Sequence, residues 1–115
     1  MDNCIFCKIA KHDAPAQIEA ENDSVIAFSS IAPVAEHHIV IIPKKHITSF
    51  TDLDNSNVND LSAMVSVAQD LIVKKGISDG YKMIFNGGHY QEIKHIHWHL
   101  LGGKLDEKKD TFHNT

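Results

Sequence analysis

Three histidines alternate with apolar residues in the segment Lys94-His95-Ile96-His97-Trp98-His99-Leu100-Leu101. Such alternation is typical of a half-buried β-strand, because successive side chains of a strand point to opposite faces of the sheet. At about 3.3 Å per residue, neighbouring histidines would lie 6.6 Å or so apart on one face. The apolar residues would face a core, and Gly102-Gly103 is expected to end the strand. The sequence therefore predicts a rigid element that presents three imidazoles in a row.

Three interpretations of this histidine row compete. It can be a polar sheet face that happens to be rich in histidine. It can be a metal site, because imidazole is the commonest metal ligand and residues i and i+2 of a strand can share an ion. It can also be a catalytic site, in which one imidazole attacks a substrate while another transfers protons.

The length and composition of the chain narrow the class of protein. Its 115 residues predict one domain, and 43% hydrophobic with 23% charged residues is typical of a soluble globular protein. A net charge of -4 without long basic runs argues against general nucleic-acid binding. No apolar run approaches the ~20 residues of a membrane span, and no targeting segment is evident. We therefore expect a cytoplasmic protein without a structural disulfide.

The remaining hydrophobic pattern predicts four more strands and two helices. Strands are expected at 17–20, 25–28, 38–43 and 81–86, with the last pairing as an antiparallel hairpin with the histidine strand. A short helix is expected around 5–9 and a long one over 57–75, followed by Gly76 as its C-terminal glycine. The apolar face of the long helix comprises Leu61, Met64, Val65, Ala68, Leu71 and Ile72. This order predicts a single α+β domain over 1–115, with a core at about 4–103 and a poorly ordered polar tail at 104–115.

Two cysteines form a C-x-x-C motif in Cys4-Ile5-Phe6-Cys7. This spacing is typical of half a zinc site or of a redox pair. Two small buried residues are the third interpretation, and the motif alone does not decide among the three.

The histidine segment resembles the signature of the histidine triad family, His-x-His-x-His followed by two apolar residues. The resemblance covers about 4–103 and includes the segments 4–9, 38–46 and 100–103, of which Gly102-Gly103 favours the Hint branch. It implies a sheet of about five antiparallel strands with one long and one short helix. It also implies a homodimer that extends this sheet.

The family's chemistry would take place at the α-phosphate of a nucleotide, through a nucleotidyl-histidine intermediate. By the resemblance, His97 is the nucleophile, since neutral imidazole is a good nucleophile near pH 7. His99 would contact the phosphate and assist the leaving group, and His38 would lie beside the nucleophile. Asn86 matches a residue near the leaving group, and Gln91 matches a residue close to the phosphate. The positions that enclose the base correspond to Ile5, Phe6, Ile9, Phe28 and Ile31.

A metal site follows from the same resemblance. In some bacterial relatives a C-x-x-C pair, a histidine after Pro-Lys-x and the first triad histidine hold a structural zinc. The corresponding residues here are Cys4, Cys7, His46 and His95, a complete tetrahedral shell. Zinc would then tie the N-terminal segment to the catalytic segment and take no part in catalysis.

Two substrate-binding positions and the tail depart from the family pattern. Ser30 replaces an aspartate that accepts hydrogen bonds from both ribose hydroxyls, and it offers one short hydroxyl instead. Glu92 stands where many members have serine or threonine, so its carboxylate would repel a phosphate or engage an amine leaving group. The tail after Gly103 lacks the ending that influences substrate choice in animal members.

The resemblance therefore predicts a purine nucleoside phosphoramidase that releases AMP or GMP. A dinucleoside polyphosphate hydrolase is the alternative enzyme, and a nucleotide-binding interaction module with little turnover is the alternative of another class. Zinc is the expected cofactor, with no organic cofactor, and a homodimer that binds neither nucleic acid nor membrane is the expected assembly.

Overall fold

The computed structural model describes residues 3–106. In chain order the elements are α1 (Ile5–Ala10), β1 (Ile18–Glu21), β2 (Val25–Ser29), β3 (Ala35–Pro43), α2 (Val58–Lys74), β4 (Tyr81–Ile84) and β5 (Trp98–Leu105). The strands form one antiparallel sheet in the order β1-β2-β3-β5-β4. Within the described residues this confirms the predicted α+β class, the five-stranded sheet and the pair of helices. The extension of the sheet by dimerisation and the single domain over 1–115 stay predictions.

The central strand β3 is buried on both faces because each face is covered by a helix. Ile39 and Ile41 pack in a cluster with Met64 and Leu71 of α2. The alternate residues of β3, Val40 and Ile42, pack on the other side in a cluster with α1. This explains why residues 38–43 are a nearly continuous apolar run, as is usual for a strand covered on both sides.

The long helix α2 buries a stripe that differs from the predicted one at Val65 and Val67. Met64, Val67, Ala68 and Leu71 are buried, whereas Val65 is 43% exposed, so the assignment of Val65 to the core was wrong. One residue advances the helix by about 100°, which turns Val65 away from the stripe on which Met64 and Ala68 lie. The helix ends as predicted before Gly76, whose φ of +68° favours glycine.

The histidine segment is not a strand from its beginning, and this part of the prediction was wrong. β5 begins at Trp98, so His95 and His97 precede it. The cause lies in the backbone hydrogen bonds, since the amide of Ile96 donates to the carbonyl of Ile47 at 2.8 Å, away from the sheet. A side-chain pattern cannot reveal which partner a backbone amide will take.

The alternation of sides nevertheless continues upstream of the strand. Ile96 and Leu100 are buried in the cluster beneath α2. His95 and His97 contact Phe6 of α1 on the opposite side, with ring centroids 5.9 and 5.0 Å from that of Phe6. The period-two pattern therefore predicts the side on which each residue lies, although it does not predict where the strand starts.

Gly102 and Gly103 lie within β5, so the expectation that they end the strand was wrong. A Cβ atom at Gly102 would clash with the side chain of Ile77. Gly103 has a φ of +73°, and a Cβ atom there would clash with Glu36 beside an irregular register in β3. Both glycines are therefore explained by close packing and by local backbone geometry.

The other differences concern the ends of elements. β3 begins at Ala35, earlier than predicted, and β4 ends at Ile84 instead of residue 86. Lys104 and Leu105 belong to β5 and not to a tail, and the predicted tail residues 107–115 lie outside the described residues. Neither helix of the described part of the chain has the length and apolar character needed to cross a membrane.

Candidate functional site

A cavity of about 620 Å³, the main cavity, opens between α1, the segment 28–34 and the segment leading into β5. All of the predicted catalytic and substrate-binding residues except Gln91 line it. They are His38, His97, His99, Asn86, Glu92, Ser30, Ile5, Phe6, Ile9, Phe28 and Ile31. The fold therefore brings together in one place residues that are distant in the sequence.

The apolar wall of the main cavity meets its imidazoles at Phe6. The ring of Phe6 packs edge-on against Phe28 at 5.6 Å and against His97 at 5.0 Å. Ile31 is fully exposed at the rim, so a molecule in the cavity would cover it. A flat aromatic group on the apolar wall would thus lie next to groups suited to phosphate chemistry.

The hydrogen bonds of His97 determine its tautomer. Its Nδ1 donates to the carbonyl oxygen of His95 at 2.9 Å. Because a carbonyl oxygen only accepts, the ring proton lies on Nδ1 and the lone pair lies on Nε2. Burial lowers the pKa of His97 below its usual range, and the hydrogen bond to the carbonyl opposes this shift. His97 is therefore a neutral imidazole whose Nε2 is available as a nucleophile.

His38 and His99 form a second ordered pair. The amide of Val34 donates to Nδ1 of His38 at 3.1 Å, which places the proton of this ring on Nε2. Nε2 of His38 in turn donates to Nδ1 of His99 at 2.9 Å, so the proton of His99 lies on its Nε2. Burial lowers the pKa of His99 to about 4, and its histidine neighbours act in the same direction. The pair thus presents a neutral His99 whose Nε2–H group can donate a hydrogen bond.

The loop before His95 is held by Gln91, which does not line the main cavity. Gln91 is only 3% exposed, and its Nε2 donates to the carbonyls of Thr48 and Ile93 at 2.8 and 2.9 Å. Lys94 adds to this anchoring, because its Nζ donates to the carbonyl of Gln91 at 2.6 Å. The exposed Glu92 lies between these two anchors.

Some residues of the main cavity were not anticipated from the sequence. They are Pro15, Ala16, Ser29, Val34, Val40, Tyr90 and Ile93. Most of these residues lie in loops, and they belong to no sequence motif. The contribution of Val34 to the histidine pair is a backbone amide, which leaves no trace in a side-chain pattern.

Four predicted metal ligands lie together beside the main cavity. Their ligand atoms, from Cys4, Cys7, His46 and His95, all lie within 4.8 Å of one another. The Sγ atom of Cys7 is 3.1 Å from Nδ1 of His46 and 3.6 Å from Nδ1 of His95, and Sγ of Cys4 is 3.5 Å from the latter. Sulfur and nitrogen atoms sharing a tetrahedral zinc lie about 3.6 Å apart. The cluster therefore fits a metal ion of this kind.

The orientation of His95 also suits a metal ligand. Nε2 of this fully buried ring donates to the carbonyl of Pro43 at 2.7 Å, so the Nδ1 lone pair faces the cysteines. Burial lowers the pKa of His95 to about 4, which keeps the ring neutral. Burial and the neighbouring Cys4 raise the pKa of the Cys7 thiol, and both cysteines are free thiols.

Comparison with known proteins agrees with this arrangement. The family model described as scavenger mRNA decapping enzyme C-term binding matches residues 3–113. Protein HitA of Neisseria gonorrhoeae is 36% identical over 104 residues, which are 89% of this chain and 97% of HitA. A purine nucleoside phosphoramidase of Escherichia coli (strain K12) is 39% identical over 106 residues, which are 90% of this chain and 89% of that enzyme.

Solved structures show the same architecture. A HIT family hydrolase from Legionella pneumophila Philadelphia 1 matches with a TM-score of 0.85 at 40% identity, covering 90% of this chain and 95% of that chain. A histidine triad protein from Clostridium difficile matches with a TM-score of 0.85 at 40% identity, covering 90% of this chain and 92% of that chain. Sequence, fold and the arrangement of histidines agree, and the chain belongs to the histidine triad family of hydrolases.

Proposed function

We propose that the protein is a purine nucleoside phosphoramidase, which cleaves the P–N bond between a nucleoside monophosphate and an amine. The observation that carries this proposal is the fixed tautomer of His97, which lines the main cavity and donates a hydrogen bond from Nδ1 to the His95 carbonyl, leaving the lone pair on Nε2. The name of the Escherichia coli relative supports the same substrate class. AMP or GMP would be the nucleotide product.

The reaction follows from the two histidine arrangements. Nε2 of His97 attacks phosphorus, the P–N bond to the amine breaks, and a bond between phosphorus and His97 forms. The departing amine takes a proton from solvent water, while the Nε2–H group of His99 stabilises it by a hydrogen bond and His38 holds Nδ1 of His99 at 2.9 Å. Water then attacks phosphorus, the bond between phosphorus and His97 breaks, and His97 returns to its neutral form as the nucleotide releases a proton to solvent. The carbonyl of His95 stabilises the positive charge on the modified His97 ring.

The charge of the main cavity favours a phosphoramidate over a polyphosphate. No lysine lines this cavity within the described residues, and the sequence contains no arginine. Its one charged side chain is Glu92, which would repel each further phosphate of a dinucleoside polyphosphate. An amine leaving group brings no such negative charge.

Ser30 contributes little to nucleoside binding in this proposal. Its Oγ accepts a hydrogen bond from the amide of Ala32 at 3.2 Å, within a local turn. One short, neutral hydroxyl already engaged in the backbone binds a ribose less strongly than a carboxylate would. Burial of the base against Phe6 and Phe28 would therefore supply most of the nucleoside affinity.

We infer that the four-residue cluster of Cys4, Cys7, His46 and His95 holds zinc as a structural ion. Four protein ligands complete a tetrahedral shell and leave no position for a substrate. Bound there, the ion would supply a rigid cross-link between α1 and the segment that precedes His97. The chemistry of the reaction would stay with the histidines.

We also infer that the protein forms a homodimer through β4, one of the two edge strands of the sheet. Tyr81 and Phe85 at this edge are 51% and 46% exposed, and Phe85 stacks on the exposed Phe50 at 4.9 Å. An exposed edge with apolar side chains is a site at which a second chain can pair. A monomeric mass in solution by light scattering would refute this inference.

The test of the proposed function is the release of AMP from adenosine 5′-phosphoramidate. We expect the wild-type protein to turn this substrate over and His97→Ala to lose activity by about 10⁴-fold, as for removal of a covalent nucleophile. The matched control is His37→Ala, because His37 does not line the main cavity.

Three outcomes would contradict the proposal. Undiminished activity of His97→Ala would exclude His97 as the nucleophile. Turnover restricted to diadenosine polyphosphates would favour the alternative hydrolase. Binding of AMP without hydrolysis of either substrate would favour an interaction module.

A further inference from the structure

We propose that a second cavity beside the main one binds the amine leaving group, and that Glu92 there selects leaving groups that carry a second, positively charged amine. This inference rests on the proposed function, because it concerns the part of the substrate that lies beyond the phosphorus atom.

The second cavity, the side cavity, has a volume of about 610 Å³. It shares three lining residues, Ile5, Glu92 and Ile93, with the main cavity. His97 lines the main cavity together with these residues, so a substrate with its phosphorus at His97 can extend past Glu92 into the side cavity. The space is large enough for an amine with an aliphatic chain.

Glu92 is the charged residue that the two cavities have in common. Its side chain is exposed and makes no hydrogen bond or ion pair within residues 3–106. A carboxylate close to an anionic phosphate is repulsive in itself. A positively charged amine placed beside Glu92 would convert this repulsion into attraction, which gives the residue a role in substrate choice.

The other charged side chain of the side cavity, Lys94, is hydrogen-bonded to the backbone of the loop. Nζ of Lys94 donates to the carbonyls of Gly88 and Gln91 at 3.0 and 2.6 Å. No ion pair joins Lys94 to Glu92 in the described part of the chain, and Lys94 does not line the main cavity. Lys94 keeps its positive charge, but its ammonium group is held at the loop carbonyls, so Glu92 is the charged side chain at the junction of the two cavities.

The backbone presents Glu92 from a fixed position. The preceding residue, Gln91, is buried with two hydrogen bonds from its side-chain amide, and Lys94 is bonded to two carbonyls. A carboxylate on an anchored backbone loses less freedom when it binds a cation than one on a loose loop. This anchoring is suited to selectivity.

The metal cluster adjoining the side cavity does not change this conclusion. Cys4 and His46 contribute to the cavity wall. Two thiolates compensate the charge of a divalent ion, so the four-ligand set would carry no net charge when occupied. The selectivity for charge would still come from Glu92.

The experiment compares three adenosine 5′-phosphoramidates whose leaving groups have the same length. They are a diaminoalkane, an n-alkylamine and an ω-amino acid, which are positive, neutral and negative at their far ends. We expect wild-type kcat/KM for the positive leaving group to exceed that for the neutral one by about fivefold, as for one exposed ion pair. High salt should reduce this ratio.

Variants at Glu92 test the source of the ratio. In Glu92→Gln the ratio should fall to about one, and Glu92→Lys should favour the negative leaving group instead. Because each ratio is measured within one variant, any effect on the common chemistry cancels. The matched control is Asp79→Asn, which removes an exposed carboxylate outside both cavities and should keep the wild-type ratio.

The outcomes separate this inference from the proposed function. A wild-type ratio of one, or a Glu92→Gln variant that keeps the wild-type ratio, would overturn the inference even if all three compounds are hydrolysed. If the wild type hydrolyses neither these three compounds nor unsubstituted adenosine 5′-phosphoramidate, the proposed function fails. The dissociation constants of the three compounds for the wild type and for Glu92→Gln then decide the inference by the same ratios.

Discussion

Nδ1 of His97 donates a hydrogen bond to the backbone carbonyl oxygen of His95, at 2.9 Å. His95 contributes its own Nδ1 to the cluster of four metal ligands. The residue proposed to attack the substrate is therefore oriented by a residue proposed to bind a structural ion. Loss of the ion should affect the reaction, although the ion takes no part in it.

Removal of the metal is the first prediction that follows. We expect a strong chelator, or the substitution Cys4→Ser, to lower the Tm by about 5 °C or more, because binding of an ion to the folded state alone adds to its stability. AMP release should fall with it and recover when zinc is restored to the chelated wild type. Retention of both Tm and activity after complete metal removal would contradict the structural role.

His38 should affect the rate through His99. In His38→Ala the ring of His99 loses the donor that defines its tautomer, and we expect kcat to fall by about 10- to 100-fold with KM nearly unchanged. His38→Gln keeps a side-chain amide donor and should recover part of the loss. The measurement is steady-state AMP release, with His37→Ala as control. A change confined to KM would indicate a role in binding only.

Gly102 should tolerate no side chain. A Cβ atom there would lie 3.0 Å from both Cβ and Cγ2 of Ile77, and closer still to Cδ1. We expect Gly102→Ala to lower the free energy of unfolding by about 1–3 kcal/mol, as measured by urea denaturation. Gly80→Ala is the matched control, because a Cβ atom at Gly80 meets nothing within 4 Å. Equal stability of the two variants would refute the packing explanation.

Stability at neutral pH should depend on Glu19. Its carboxylate lies 2.6 Å from Nζ of Lys75 and accepts a hydrogen bond from the hydroxyl of Ser29, and these contacts lower the pKa of Glu19. A lowered pKa means that the contribution is present above the usual carboxyl range and is lost as the pH falls through the folded-state pKa.

The substitution Glu19→Gln tests this dependence. We expect the variant to lose about 1 kcal/mol of unfolding free energy near pH 7. The difference from the wild type should shrink as the pH falls through the lowered folded-state pKa of Glu19, because the carboxylate then becomes protonated. Urea denaturation at several pH values measures it. A difference independent of pH would show that the charge of Glu19 is not responsible.

How much of this site could be predicted from the sequence depends on the kind of contact. The side on which each triad histidine lies follows from alternation, and the gathering of cysteines and histidines follows from the family pattern. The tautomers of His38, His95 and His97 could not be predicted, because Val34, Pro43 and His95 hold these rings through backbone groups. The start of β5 was mispredicted because the amide of Ile96 donates to the carbonyl of Ile47, outside the sheet.

Gln91 illustrates a different limit. The family pattern places it close to the phosphate, whereas its amide is directed at the carbonyls of Thr48 and Ile93 beneath the loop. An amide side chain can serve either purpose, and only the three-dimensional arrangement of the loop distinguishes them. Its neighbour Glu92 is exposed and lines the main cavity.

The burial of β3 on both faces has a consequence for the fidelity of folding. Both faces of this strand carry apolar side chains over residues 39–43. Hydrophobic burial alone therefore barely distinguishes the native register from one shifted by a residue. The polar contacts at its two ends do distinguish them: His38 must meet Val34 and His99, and the carbonyl of Pro43 must meet His95. The hydrogen bonds that orient the histidines of the site thus also specify the register of the central strand.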